Sequence, residues 1–116
     1  MITINLPNMR LRNTLNYREH RAKKSARSAK QKEAAWAAVL ASRAPRMLRP
    51  PFVVTVTRLG PRELDDDGAS ASAKWVRDGI SVALGVDDGD VERIKFCVRQ
   101  EKCKYYGVKI EIVGVE

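Results

Sequence analysis

Only two cysteines and one histidine occur in 116 residues, so thiolate or imidazole chemistry has little to work with. Cys97 and Cys103 lie too far apart for a CxxC knuckle or redox pair. One is expected in a strand and the other at the following turn, where they would not face each other in a simple hairpin. Free, reduced thiols are the expectation, as in a cytosolic chain. His20 stands alone among arginines and is expected as a surface residue, not a ligand. No charged-then-apolar leader and no apolar run long enough to cross a bilayer occurs, which points to a cytoplasmic protein with no membrane partner. Internal repeats, low-complexity tracts and domain boundaries are also missing, so residues 1–116 read as a single domain. That length supports one core but not a large monomer, and a dimer would relieve the shortfall.

Acid is scarce in the first half. Among residues 1–50 only Glu19 and Glu33 oppose twelve Lys and Arg, whereas residues 51–116 hold ten basic residues against twelve acids, for an overall formal charge of +8. A basic half joined to an acid-clustered half suggests electrostatic capture of a polyanion by one and metal-assisted work by the other. Nucleic acid is the favoured partner on charge alone. The plainer alternative is a basic protein with a solvated helix.

Ile2, Ile4 and Leu6 alternate with Thr3 and Asn5, the period of a half-buried strand, and Pro7 ends it. Residues 8–16 read as a loop whose Arg10, Arg12, Asn13 and Asn16 can donate to phosphate oxygens. Residues 17–41 are rich in Ala, Lys, Arg, Gln and Glu, without Gly or Pro, and are expected to be helical. Ala22, Ala26, Ala29, Trp36, Val39 and Leu40 form its thin apolar stripe, with Trp36 and Leu40 supplying most of the burial. Arg18, Arg21, Lys23, Lys24, Arg27, Lys30 and Lys32 crowd the rest of its early turns, either lying along DNA or merely covering apolar surface with their stems.

Residues 43–51 hold three prolines and three arginines and read as a connection. Residues 52–59 are the clearest strand, with Val54 and Val56 on one face, stopped by Gly60 and Pro61. Apolar residues then recur at helical spacing from Ala69 through Val76 and Ile80 to Leu84. The expectation is one helix, with Asp67 as its N-cap and Gly85 as its left-handed stop. Residues 91–100 and 105–113 alternate again and predict a closing β-hairpin. The resulting fold class is α/β (α+β). It is a two-layer sandwich in the order strand, helix, strand, helix, strand, strand, with helices packed on a mixed, mostly antiparallel four-stranded sheet.

Two acidic clusters bracket that second helix: Asp65, Asp66 and Asp67 before it, and Asp87, Asp88 and Asp90 after it. Asp65 and Asp67, two apart on an extended stretch, point the same way and can share a metal ion. Asp88 can complete the site, with Asp87 beside it. So much negative charge in one place calls for a cation, and hard divalent ions take carboxylate, water and phosphate oxygens. Mg²⁺ is the expected cofactor, with Mn²⁺ as a substitute. Lys74, expected to reach inward from the helix, can neutralise charge on a phosphate under attack or position water. Each cluster alone is equally explained by N-capping or by an ordinary Asp-Gly turn.

LDDD, then seven residues on to Lys74, VRDGI and LGVDDGD resemble the RusA family of Holliday junction resolvases. The N-terminal INLPNMRLRNTLNYREHRAKK and the closing strand pair are similar too, so the likeness spans nearly the whole chain. It implies a homodimeric, Mg²⁺-dependent endonuclease that binds four-way DNA junctions and makes paired symmetric nicks in recombination and repair. Carried over residue by residue, the catalytic set is Asp65, Asp67, Lys74 and Asp88, with the metal on Asp65, Asp67, Asp87 and Asp88. Arg10, Arg12, Asn16, Arg18, Arg21, Lys23, Lys24 and Arg27 would hold the junction arms. Gly68 and Ala69 depart from the family pattern, which usually has Asn then Leu there. The rival readings are a non-catalytic or degenerate basic DNA-binding protein of the same fold, and an RNA-binding protein.

Overall fold

A computed structural model describes residues 1–12 and 21–116, with the side chains of 21–24 outside the description. Its elements are β1 (Ile2–Pro7), α1 (Arg21–Ala41), α2 (Ala44–Met47), β2 (Arg49–Gly60), α3 (Asp66–Ser72), α4 (Lys74–Leu84), β3 (Ile94–Lys102) and β4 (Gly107–Val115). The strands form one sheet in the order β1-β4-β2-β3. Among the described residues only β2 and β3 run parallel. Fold class and layer order are therefore as the hydrophobic periodicity predicts.

Parity along the strands decides which face is buried. Val54 and Val56 of β2, Ile94 of β3, and Val108, Ile110 and Ile112 of β4 are all buried. They meet Ala35 and Val39 of α1, Ala73 just before α4, and Val76 and Ile80 of α4 in one core. The opposite parity is left to solvent. Val53 and Val113, paired across β2 and β4, remain about half exposed, and Lys95, Cys97 and Arg99 of β3 are exposed beside them. Both cysteines are free.

Several expectations are corrected. The second helix is two helices, α3 and α4, separated at Ala73 (φ −92°, ψ −1°). Ser72 donates its hydroxyl to the Ala69 carbonyl at 2.7 Å, a back-bond that competes with the helical ladder in a Ser-rich stretch. The N-cap of α3 is Asp65, not Asp67. Gly85 does end α4 in the left-handed region (φ 72°).

Trp36 and Leu40 do not anchor α1: they are 40% and 44% exposed. Val39 of the expected stripe is buried, but the other buried positions are Ser28, Gln31 and Ala35, on a neighbouring line of the helix. Small residues on that stripe let α1 approach α4 at Gly79, where an added Cβ would lie 3.0 Å from the Trp36 nitrogen and 3.1 Å from the Ala35 Cβ.

Residues 43–51 are more regular than a connection. Pro45 falls in the first turn of α2, where a missing N–H costs nothing. Pro50 and Pro51 fall within β2 at a register irregularity before Val53, which accommodates residues that cannot donate to the ladder.

The closing hairpin is also corrected. β3 and β4 are not neighbours, because β2 lies between them. The link between them crosses the end of β2, where Cys103 donates its N–H to the Gly60 carbonyl at 3.0 Å. Tyr106 packs over Gly60, whose missing Cβ would sit 3.2 Å from the ring.

Candidate functional site

The first acidic cluster is pinned before it is used. Gln100 of β3 donates to the Leu64 carbonyl at 2.7 Å and accepts from the Leu64 N–H at 2.8 Å, so the side chain of an edge strand holds the start of the acidic run. Asp65 then accepts the Gly68 N–H at 2.7 Å. Asp66 and Asp67 occupy the first turn of α3, where negative charge complements the helix dipole. Helix begins at Asp66, so Asp65 and Asp67 do not follow the two-residue period of an extended stretch, and the shared direction expected of them is lost. All three side chains are exposed.

In the second cluster, Asp87 accepts the Gly89 N–H at 2.9 Å, the geometry of an Asp-Gly turn. Asp90 is ion-paired with Arg93 at 3.5 Å. Asp88 is different: it lies close enough to Asp78 in α4 for the two carboxyls to interact. Burial first, and then the hydrogen bond and charge of Asp88, push the Asp78 carboxyl above the ordinary aspartate range. Lys32 of α1 and Lys74 pull it the other way. Lys74 is the first residue of α4, one turn before Asp78. It is exposed, not inward-reaching, and its Nζ lies 4.9 Å from the centroid of the Trp75 ring.

The structure thus brings together Asp78 and Asp88 with Lys32 and Lys74 nearby. Asp78 was not singled out by sequence reasoning, although it lies within VRDGI and one helical turn from Lys74, and Lys32 was read only as one of the basic residues of the first helix. Among the described residues, no three carboxylate, histidine or cysteine side chains form a group able to hold a metal ion. Two neighbouring carboxylates repel, and a proton or a cation between them relieves that repulsion. Mg²⁺ commonly binds one or two carboxylates and completes its shell with water and phosphate, so the Asp78–Asp88 pair fits a divalent ion as far as its donor chemistry goes.

Of the expected DNA-binding residues, Asn16 and Arg18 lie outside the described residues, as do Tyr17 and His20. Arg21, Lys23 and Lys24 fall on the first turn of α1, with their side chains outside the description. Arg12 lies in the loop after β1, partly exposed. Arg10 and Arg27 line a groove between that loop and α1, together with Lys30.

Arg58 is a further residue that sequence reasoning missed. It shares the inward parity of Val54 and Val56 and is only 5% exposed. Its Nε donates to the Leu11 carbonyl at 2.9 Å and one terminal nitrogen to the Arg62 carbonyl at 2.6 Å. Burial lowers its pKa, a nearby Tyr106 opposes this, and Arg10 adds to it. A cation in phase with the core side of a β-branched strand was the available signal.

Compared with known proteins, the chain matches no family model and no curated protein. No helix among the described residues is long and apolar enough to cross a membrane.

Proposed function

We propose that the protein is a Mg²⁺-dependent endonuclease, able to use Mn²⁺, that resolves four-way DNA junctions by paired symmetric nicks, working as a cytoplasmic homodimer in recombination and repair. The observation that carries this reading is the Asp78–Asp88 carboxyl pair with Lys32 and Lys74 beside it. The motif likeness over residues 64–90 supports it, as does the basic first half of the chain.

In this reading Asp88 and Asp78 hold the cation, and the motif resemblance assigns Asp65, Asp67 and Asp87 to the same reaction, while the described residues form no group of three acids around it. A divalent ion bound there supplies Lewis acidity and neutralises charge at the phosphodiester. Lys74, free to swing on its stem at the start of α4, counters the charge that builds on the phosphate. Arg10, Arg12, Arg27 and the basic first turns of α1 hold the strands by their phosphates.

The test is to incubate the purified protein with a synthetic four-way junction and Mg²⁺. Symmetric nicking is expected from the wild type. Asp88→Asn and Asp65→Asn should lose nicking but keep binding, or tighten it, since removing a carboxylate lowers repulsion from phosphate. One observation favours a second reading, a non-catalytic DNA-binding protein: Asp65 and Asp87 already have structural work as a helix cap and a turn acceptor. Binding without nicking at any Mg²⁺ or Mn²⁺ concentration would decide for it.

A further inference from the structure

The groove between the loop after β1 and α1 encloses about 540 Å³, within the range of small-molecule sites and far larger than a phosphate group requires. Pro7, Met9, Ala26 and Ala34 give it apolar lining, Arg10, Arg27 and Lys30 line it with positive charge, and no carboxylate lines it among the described residues. That charge pattern suits an anion with an apolar body.

The loop is held in place on both sides of Arg10. Asn8, in a left-handed conformation (φ 65°), donates its N–H to the Tyr106 carbonyl at 3.1 Å. The buried Gln31 amide donates to the Arg10 carbonyl at 3.4 Å, and Arg58 donates to the Leu11 carbonyl at 2.9 Å. The groove is thus preformed, which lowers the entropic cost of filling it. The Arg10 guanidinium lies 4.6 Å from the centroid of the Tyr106 ring. A guanidinium stacked on a ring is a flat cationic plate, and nucleobases stack on such planes.

Duplex phosphates could be gripped by exposed cations on the convex face of α1 without any apolar recess. We infer that this groove takes one unpaired nucleotide, its base stacked on the Arg10 plane beside the apolar lining and its phosphates met by Arg27 and Lys30. The inference shares with the proposed function the assumption of a nucleic-acid partner, but it does not depend on cleavage.

The probe is a fluorescent thymidine oligonucleotide, with and without abasic sites, titrated against the wild-type protein by anisotropy. Natural strands should bind about tenfold more tightly than abasic ones, the size of one base's stacking. Arg10→Ala should erase that difference. Lys30→Glu, on the exposed rim, should weaken both strands alike, and Lys95→Glu, on the open sheet face, should leave the ratio unchanged. Equal affinity for natural and abasic strands overturns the inference, as does discrimination that survives in Arg10→Ala. Junction nicking is read separately. Nicking without base discrimination sinks this inference alone, and base discrimination without nicking sinks the nuclease reading alone.

Discussion

Asp78 takes its chemistry from its neighbours. Its carboxyl is raised because it is partly withdrawn from water and faces Asp88. Between the ordinary aspartate range and that raised value, the folded chain binds more protons than the unfolded one. Stability from this group is therefore fully present below the ordinary range and is lost as pH rises through the folded value. Asp78→Asn keeps a hydrogen-bonding group and removes the charge, so at neutral pH the variant should be more stable than the wild type. That advantage should shrink as the pH falls, which melting curves of both proteins between about pH 4 and pH 8 would show. Parallel curves would mean that the pair is not coupled. Mg²⁺ should raise the wild-type melting temperature but not that of Asp78→Asn, because only a ligand of the folded state stabilises it. Ser81 presents the opposite case. It is 4% exposed, and among the described residues its hydroxyl finds no hydrogen-bond partner. Removing an unsatisfied buried hydroxyl relieves a desolvation cost. Ser81→Ala should therefore gain up to about 1 kcal/mol, a rise of a few degrees in Tm. A loss instead would point to an ordered water on that hydroxyl.

Elements meet most tightly where α1 and α4 cross at Gly79. On propensity alone, Gly→Ala inside a helix gains about 1 kcal/mol. Here the new methyl would run into the Lys32 carbonyl and crowd the Trp36 nitrogen and Ala35. Backbone cannot yield as a flexible side chain can, so overpacking should win and Gly79→Ala should lose on the order of 2 kcal/mol. Chemical denaturation would show a lowered midpoint with an unchanged slope. How much was legible in the sequence also follows from what elements sense. Strand parity depends only on the chain itself, so Val54, Val56, Ile110 and Ile112 were readable as core, and Gly85 was readable as a stop. Pairing is not local: the same alternation in residues 94–102 and 107–115 serves a hairpin or a crossover, and only the interposed β2 distinguishes them. The phase of α1 was missed because its apolar residues are mostly alanine, which fits more than one face, so Trp36 was weighted by size when Gln31 and Ser28 point inward. The break at Ala73 depends on a serine back-bond that spacing does not reveal.

At the scale of the whole molecule, one face of the sheet is covered by helices and the other is open, and the acid pair and the basic turns of α1 both lie on the helical side. The acid pair belongs to α4 and the loop after it, while Lys32 and the basic early turns belong to α1. The sequence showed this separation of charge as two halves of unlike sign. It did not show that Asp88 would find Asp78, because that meeting depends on how the chain folds back after Gly85. If α1 and the adjoining groove form the nucleic-acid surface, affinity there must depend on counterion release, while charges on the open sheet face should contribute only a diffuse field. Arg27→Ala and Lys30→Ala should each flatten the dependence of log affinity on log salt by close to 0.7 for single strands and 0.9 for duplex. Lys95→Ala and Arg99→Ala remove equal charge from the far side of the sheet and should leave that slope nearly intact. Titrations at several salt concentrations separate the two, since a change in net charge alone would lower all four variants alike. Equal slopes for the helix and sheet variants would show that binding follows total charge and not the groove side of α1. The basic first half would then be a source of long-range attraction without being the contact surface.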